Sequence, residues 1–188
     1  MSHALIVGGT GMLWDVSLHL AEQFDMVSVI ARNSYRLNSL WEEAHHQELH
    51  INPLQLDYKD EEHLETSIKD AIKQYGPVDT VVAWFHNAAP EAPLVSAKIL
   101  NESGVDFRYF DIWGFIDSKD SDPEPEREEE LRQFEHLQYR KIILGFTYED
   151  DQSRWLTNEE ISNGVIEAIK RDNPLFIVGE ISPMSEKP

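Results

Sequence analysis

Short apolar runs alternate with amphipathic stretches along the chain. Ala4 to Val7 is an unbroken apolar run of the kind a buried strand carries. Behind it, Met12, Leu13, Val16, Leu20 and Phe24 recur at helical spacing. Met26 to Ala31 predicts a second strand, and Leu37, Leu40, Trp41 and Ala44 predict a second helix. Leu54 to Asp57 reads as a third strand. Leu64, Ile68, Ala71 and Ile72 mark a third helix, stopped at Gly76-Pro77. Asp79 to Phe85 is the most apolar stretch and predicts a central strand, with Trp84 and Phe85 in the core. A short helix is expected near Val95 to Leu100. Val105 to Trp113, Ile142 to Phe146 and Leu175 to Val178 supply the remaining strands. Thr157 and Glu160 form a capping box that opens a helix carrying Ile161, Val165, Ile166 and Ile169. Strands separated by helices of this size need crossover connections. The expected fold class is therefore α/β: one doubly wound parallel sheet of six or seven strands, with helices on both faces.

Length and charge sharpen this picture. The 188 residues suit a single domain spanning 1–188. One segment breaks the alternation: positions 117–130 hold eight carboxylates against Lys119 and Arg127, with Pro123 and Pro125. It reads as a solvated acidic insertion, and the lesser reading is a lid over a ligand cleft. Sixteen Lys and Arg against 35 Asp and Glu give a net charge of −19, which would repel phosphate backbones, so nucleic acid is not an expected partner. There is no cysteine, hence no disulfide, thiolate metal site or cysteine nucleophile. No segment approaches the ~20 apolar residues of a membrane span, and a strand follows Met1 almost directly, so neither membrane nor leader is expected and the location expected is cytoplasmic.

The candidate chemistry begins at Gly8-Gly9-Thr10-Gly11-Met12, directly after the first strand and opening the first helix. Glycines there let backbone N–H groups approach a pyrophosphate, and the helix N-terminus adds partial positive charge. A tight turn that binds nothing is the plain alternative. With this turn the chain resembles the short-chain dehydrogenase/reductase superfamily, in particular its atypical, extended-like members with a G-x-x-G-x-x-G turn. Gly8 and Gly11 match the first two glycines, while Trp14 stands at the third. An indole at that position should push the helix outward or lie across the cofactor cleft.

The resemblance implies a Rossmann-like fold and a nicotinamide dinucleotide. In such folds an acidic residue about 20 residues past the turn takes the ribose 2′-hydroxyl. Here that place holds Arg32, followed by Asn33, Ser34 and Arg36. A guanidinium can pair with a 2′-phosphate, which favours NADP(H) over NAD(H). Alternatively, Arg32 merely starts a surface helix. Asp57 matches the family's acidic residue near the adenine amino group, and Tyr58 would flank the ring. His86-Asn87-Ala88-Ala89 resembles the family's N-N-A-G segment, with His86 in the first Asn position.

Members of this family reduce carbonyls with a Tyr-x-x-x-Lys pair. Here the residues four places after Tyr35, Tyr58, Tyr75, Tyr109, Tyr139 and Tyr148 are Ser39, Glu62, Asp79, Trp113, Ile143 and Gln152. None is lysine. The candidate proton donors are therefore His86, Tyr139 and Tyr109. Tyr139 and Lys141 share one face of a strand, expected at its start. His46 and His50 have helical spacing, but a solvated helix end is the favoured reading, so no metal is expected. Two functions follow: an NADPH-dependent oxidoreductase with a non-standard proton donor acting on a small carbonyl substrate, or an NADP(H) sensor or interaction module without turnover. Oligomeric state is not readable.

Overall fold

The computed structural model describes residues 1–86, 89–114, 124–150 and 152–181. The strands and helices run β1 (His3–Val7), α1 (Trp14–Gln23), β2 (Met26–Ala31), α2 (Ser34–His46), β3 (Ile51–Gln55), α3 (Glu61–Tyr75), β4 (Thr80–Ala83), α4 (Ala92–Asn101), β5 (Phe107–Gly114), α5 (Glu124–Leu131) and β6 (Leu137–Leu144). A hairpin follows, β7 (Phe146–Glu149) and β8 (Gln152–Trp155), then α6 (Asn158–Arg171) and β9 (Leu175–Val178). Seven strands form one sheet in the order β3-β2-β1-β4-β5-β6-β9, every neighbouring pair parallel. The expected doubly wound α/β architecture is the one found. The strand order reverses between β1 and β4, which opens a crevice at their carboxyl ends.

Alternation along each strand sorts the core into two layers, because successive side chains leave opposite faces of a sheet. Ala4 and Ile6 of β1 and Val82 of β4 pack with Val16, Leu20, Leu37, Leu40 and Val165 from α1, α2 and α6. Leu5, Val7, Val81 and Ala83 face the other way, onto Leu64, Ile68, Ala97 and Leu100 of α3 and α4. The capping box is formed: Thr157 Oγ1 accepts the Glu160 N–H at 3.2 Å, and the Glu160 carboxylate accepts the Thr157 N–H at 2.8 Å.

Three expectations need correction. β3 begins at Ile51 and ends at Gln55, so Asp57 lies in the loop beyond it. β3 sits at the sheet edge, where Pro53 costs no ladder bond on its open side. β6 starts at Leu137, which puts Tyr139 inside the strand and not at its start. The stretch after β6 turns into the antiparallel β7–β8 hairpin, unread from the sequence. Of the acidic segment 117–130, the part before Glu124 lies outside the described residues; from Glu124 on it forms α5, with Glu126, Glu129 and Glu130 exposed. α5 buries Leu131 and Arg127 against the sheet.

At the opposite end of the sheet from the crevice, His3 is fully buried. Its Nδ1 lies 2.9 Å from the Gly76 carbonyl and its Nε2 lies 2.8 Å from Ser28 Oγ, which also accepts Asn52 Nδ2 at 3.0 Å. A carbonyl only accepts, so Nδ1 carries the proton and Nε2 accepts from Ser28. The neutral ring satisfies every group. Burial holds the imidazole pKa below its ordinary value, against the pull of the Gly76 carbonyl and Asp79.

Candidate active site

The crevice is a cavity of about 250 Å³. Gly8, Thr10, Gly11 and Met12 form one wall, with Ile30 and Ala31 of β2, then Arg32, Asn33 and Arg36, on the next. Tyr58, Trp84 and His86, from the loops after β3 and β4, close it. Gly8 sits at φ +80, a region open to glycine at little cost, and its N–H is tied to the Ile30 carbonyl at 3.0 Å. Gly9 makes the close helix–strand approach. A Cβ there would strike the Ser17 hydroxyl and come within 2.9 Å of Val29 Cγ1, and Ser17 Oγ donates to the Gly9 carbonyl at 2.8 Å. At Gly11 a Cβ would meet nothing within 4 Å, so this position faces open space. The N–H groups of Thr10, Gly11 and Met12 donate to no acceptor among the described residues, and the N-cap of α1, Leu13, has no side chain that could cap it. Free donors at a helix N-terminus form an anion-binding surface.

The second strand adds the cations. Asn33 Oδ1 accepts the Arg36 N–H at 3.0 Å and thereby caps α2. That cap fixes the turn which presents Arg32 and Arg36 to the cavity. Arg32 is 56% exposed and lies 4.0 Å from the Asp57 carboxylate, a pair long and wet enough to open for a better anion. Ser34 begins α2 as an exposed residue and, like Asp57, stands outside the cavity lining. On the far side Tyr58 is buried, stacks edge-on against Phe85 with centroids 5.1 Å apart, and accepts the His86 N–H at 3.2 Å. The His86 ring is exposed and edge-on to Trp84 at 6.1 Å. Asn87 and Ala88 lie outside the described residues.

Two tryptophans exchange the roles the sequence suggests for them. Trp14, at the missing third glycine, is the first residue of α1 and packs against the core of the α1 face, outside the cavity lining. Gly9 already supplies the closeness that a glycine there would give, so the indole need not push the helix away. Trp84, expected in the core, is half-buried and lines the cavity. The signal that could have found it is the residue after a central strand at the point where the strand order reverses.

Tyr139 does not reach the crevice lining. It is buried on the α5 side of the sheet, and its hydroxyl donates to Asp111 Oδ2 at 2.9 Å. Asp111, fully buried on β5, also accepts Trp113 Nε1 at 2.8 Å and Arg127 Nη2 at 2.6 Å. Burial pushes the Asp111 pKa up, and every one of these partners donates, which favours the ionised carboxylate and partly offsets that rise. The Arg127 guanidinium lies 3.4 Å over the Trp113 ring. Burial and the Asp111 charge drive the Tyr139 hydroxyl far above the ordinary phenol range. Tyr109 is likewise fully buried, and its hydroxyl has no hydrogen-bond partner among the described residues. Lys141 shares the face of Tyr139 as expected, but its ammonium pairs with Glu128 of α5 at 3.1 Å.

Comparison with known proteins bears on this geometry. The family model for short chain dehydrogenases matches residues 2–105. No curated protein sequence matches the chain. Solved structures with the same fold include an actinorhodin polyketide ketoreductase with NADPH, at 13% identity and a TM-score of 0.69, covering 95% of both chains. A metagenomic short-chain oxidoreductase in complex with NADP has 13% identity, a TM-score of 0.69 and the same coverage. A citronellol catabolism dehydrogenase from Pseudomonas aeruginosa has 12% identity and a TM-score of 0.76, covering 96% of this chain and 94% of its own.

Proposed function

The chain belongs to the short chain dehydrogenase family, and from that premise we propose that the crevice binds NADP(H) in an oxidoreductase-like protein. The observation that carries this reading is the convergence of free backbone donors at Thr10, Gly11 and Met12 with Arg32 and Arg36 on one cavity. The N–H groups would hold the pyrophosphate, and Arg32 would take the 2′-phosphate in place of Asp57. The open side of Gly11 leaves room for that approach. Solved structures with this fold include ones that hold NADPH or NADP, in keeping with the proposal.

A bound nicotinamide supplies hydride chemistry, and the chain would add binding, orientation and a proton. His86 is the candidate donor on the cavity wall, whereas the hydroxyls of Tyr139 and Tyr109 are buried elsewhere. A small carbonyl compound is the substrate class for this reading. The second reading, nucleotide binding without turnover, is favoured by one observation: the only described partner of the Tyr139 hydroxyl is the buried Asp111 carboxylate. Calorimetric titration of NADPH and NADH against the wild type and Arg32→Asp tests the binding. NADPH should lose about ten- to hundredfold in affinity, as charge-assisted contacts of ~1.5–3 kcal/mol imply, and NADH little. Equal losses for both nucleotides, or none, would remove Arg32 from the site.

A further inference from the structure

The cavity wall is one-sided. Among the described residues its lining comes from the loops after β1, β2, β3 and β4, together with β2 and α2, and none of it from β5 or β6. A doubly wound sheet of this order offers two mononucleotide halves, one on each side of the switch between β1 and β4. The glycine turn, Arg32 and Arg36 all belong to the β1–β2–β3 half.

What stands at the boundary is Trp84. It follows β4 directly, and its N–H donates to the Val7 carbonyl at 3.2 Å, which locks its backbone beside β1. A Cβ built on Gly8 would lie 3.7 Å from Trp84 Cδ1, and one built on Gly114 would lie 3.4 Å from Trp84 Cη2. Gly8 follows β1 directly and Gly114 ends β5, the two strands on either side of β4. The indole therefore extends from beside the end of β1 at one edge to beside the end of β5 at the other. The ring lies across the carboxyl end of β4, over the entrance to the second half. The ring is half-buried against the α1-side core, which holds it there.

We infer that this site recognises the 2′-phosphoadenosine half of the nucleotide, and that Trp84 bars the nicotinamide half from the sheet. This rests on the reading of the crevice as an NADP(H) site, and it sides with nucleotide binding without turnover over hydride transfer to a substrate. The ligand class is an adenosine nucleotide with phosphates at the 2′ and 5′ positions, with or without the nicotinamide end attached. Trp84 is the specificity-determining residue.

The experiment compares adenosine 2′,5′-bisphosphate with NADP⁺ by calorimetry, on the wild type and Trp84→Ala, with Trp84→Leu as a milder variant should alanine unfold the domain. On the wild type the two ligands should bind within about threefold of one another. Removing the indole should tighten NADP⁺ about tenfold or more and leave the bisphosphate unchanged. Saturation-transfer NMR on the wild-type complex reads the same geometry without mutation: adenine protons should receive strong saturation and nicotinamide protons little. NADP⁺ binding about tenfold or more tighter than the bisphosphate to the wild type, or equal saturation of both rings, would overturn the inference while leaving the NADP(H) reading intact. Failure of both ligands to bind would overturn the NADP(H) reading and the inference with it.

Discussion

Replacing Arg127 with Met should destabilise the fold more than any surface change. Arg127 reaches from α5 to a carboxylate with no solvent access, and it supplies two of that carboxylate's described hydrogen bonds, at 2.6 and 3.3 Å. Methionine fills much of the volume but leaves Asp111 buried without its cation. Breaking a buried pair in this way costs ~3–5 kcal/mol. Trp113 Nε1 and the Tyr139 hydroxyl remain as donors, so the lower end, about 3 kcal/mol, is expected. For a domain of this size, that lowers Tm by roughly 6–12 °C. Denaturant melts at pH 7 give the free energy. The pH dependence carries a sign as well. Burial holds the Asp111 pKa above its unfolded value even with Arg127 in place, and losing that cation raises it further. Stability is then complete below about pH 3.9 and is lost as pH rises through the folded pKa. The deficit against wild type should therefore shrink as pH falls from neutral. The double variant Asp111→Leu with Arg127→Met removes both charges and should be more stable than Arg127→Met alone. A single-variant loss below about 1 kcal/mol, or a double variant no better than the single, would refute a buried, compensated pair.

Gly9→Ala should cost about 1–3 kcal/mol, since the new methyl strikes Ser17 and Val29. Gly11→Ala faces open space and should stay within about 0.5 kcal/mol, yet weaken NADPH binding; thermal melts with and without nucleotide separate the two effects. His3 is held neutral in the fold by burial, so its contribution is present above the unfolded pKa of about 6.5 and is lost as pH falls from there toward the lowered folded value. Stability should decline over that range, and His3→Gln should flatten the decline; an unchanged slope would assign it to other groups.

The strands and helices were largely legible because they rest on local periodicity. Leu64, Ile68 and Ala71 of α3 are buried as their spacing required, and Gly76, which stops that helix, sits at φ +91. The glycine turn and Arg32 were legible because a strand–turn–helix sequence fixes where a β1–α1 loop must point. Most of the nominated residues do share one cavity. What was hidden depends on contacts between distant positions. Trp84 reads as core because it continues an apolar run. Only the sheet order, with Gly8 and Gly114 on either side of it, turns the indole into the crevice. Arg127 and Tyr139 lie 16 and 28 residues from Asp111, and no spacing rule links them. The β7–β8 turn uses Asp150 at φ +49, a conformation that sequence rules assign first to glycine and asparagine.

A crystal structure of the protein grown with saturating NADP⁺ tests the central claim most directly. The account predicts the 2′-phosphate within hydrogen-bond reach of the Arg32 guanidinium, and the pyrophosphate over the N–H groups of Thr10, Gly11 and Met12. A nucleotide bound elsewhere, or a 2′-phosphate turned away from Arg32 into solvent, would contradict it.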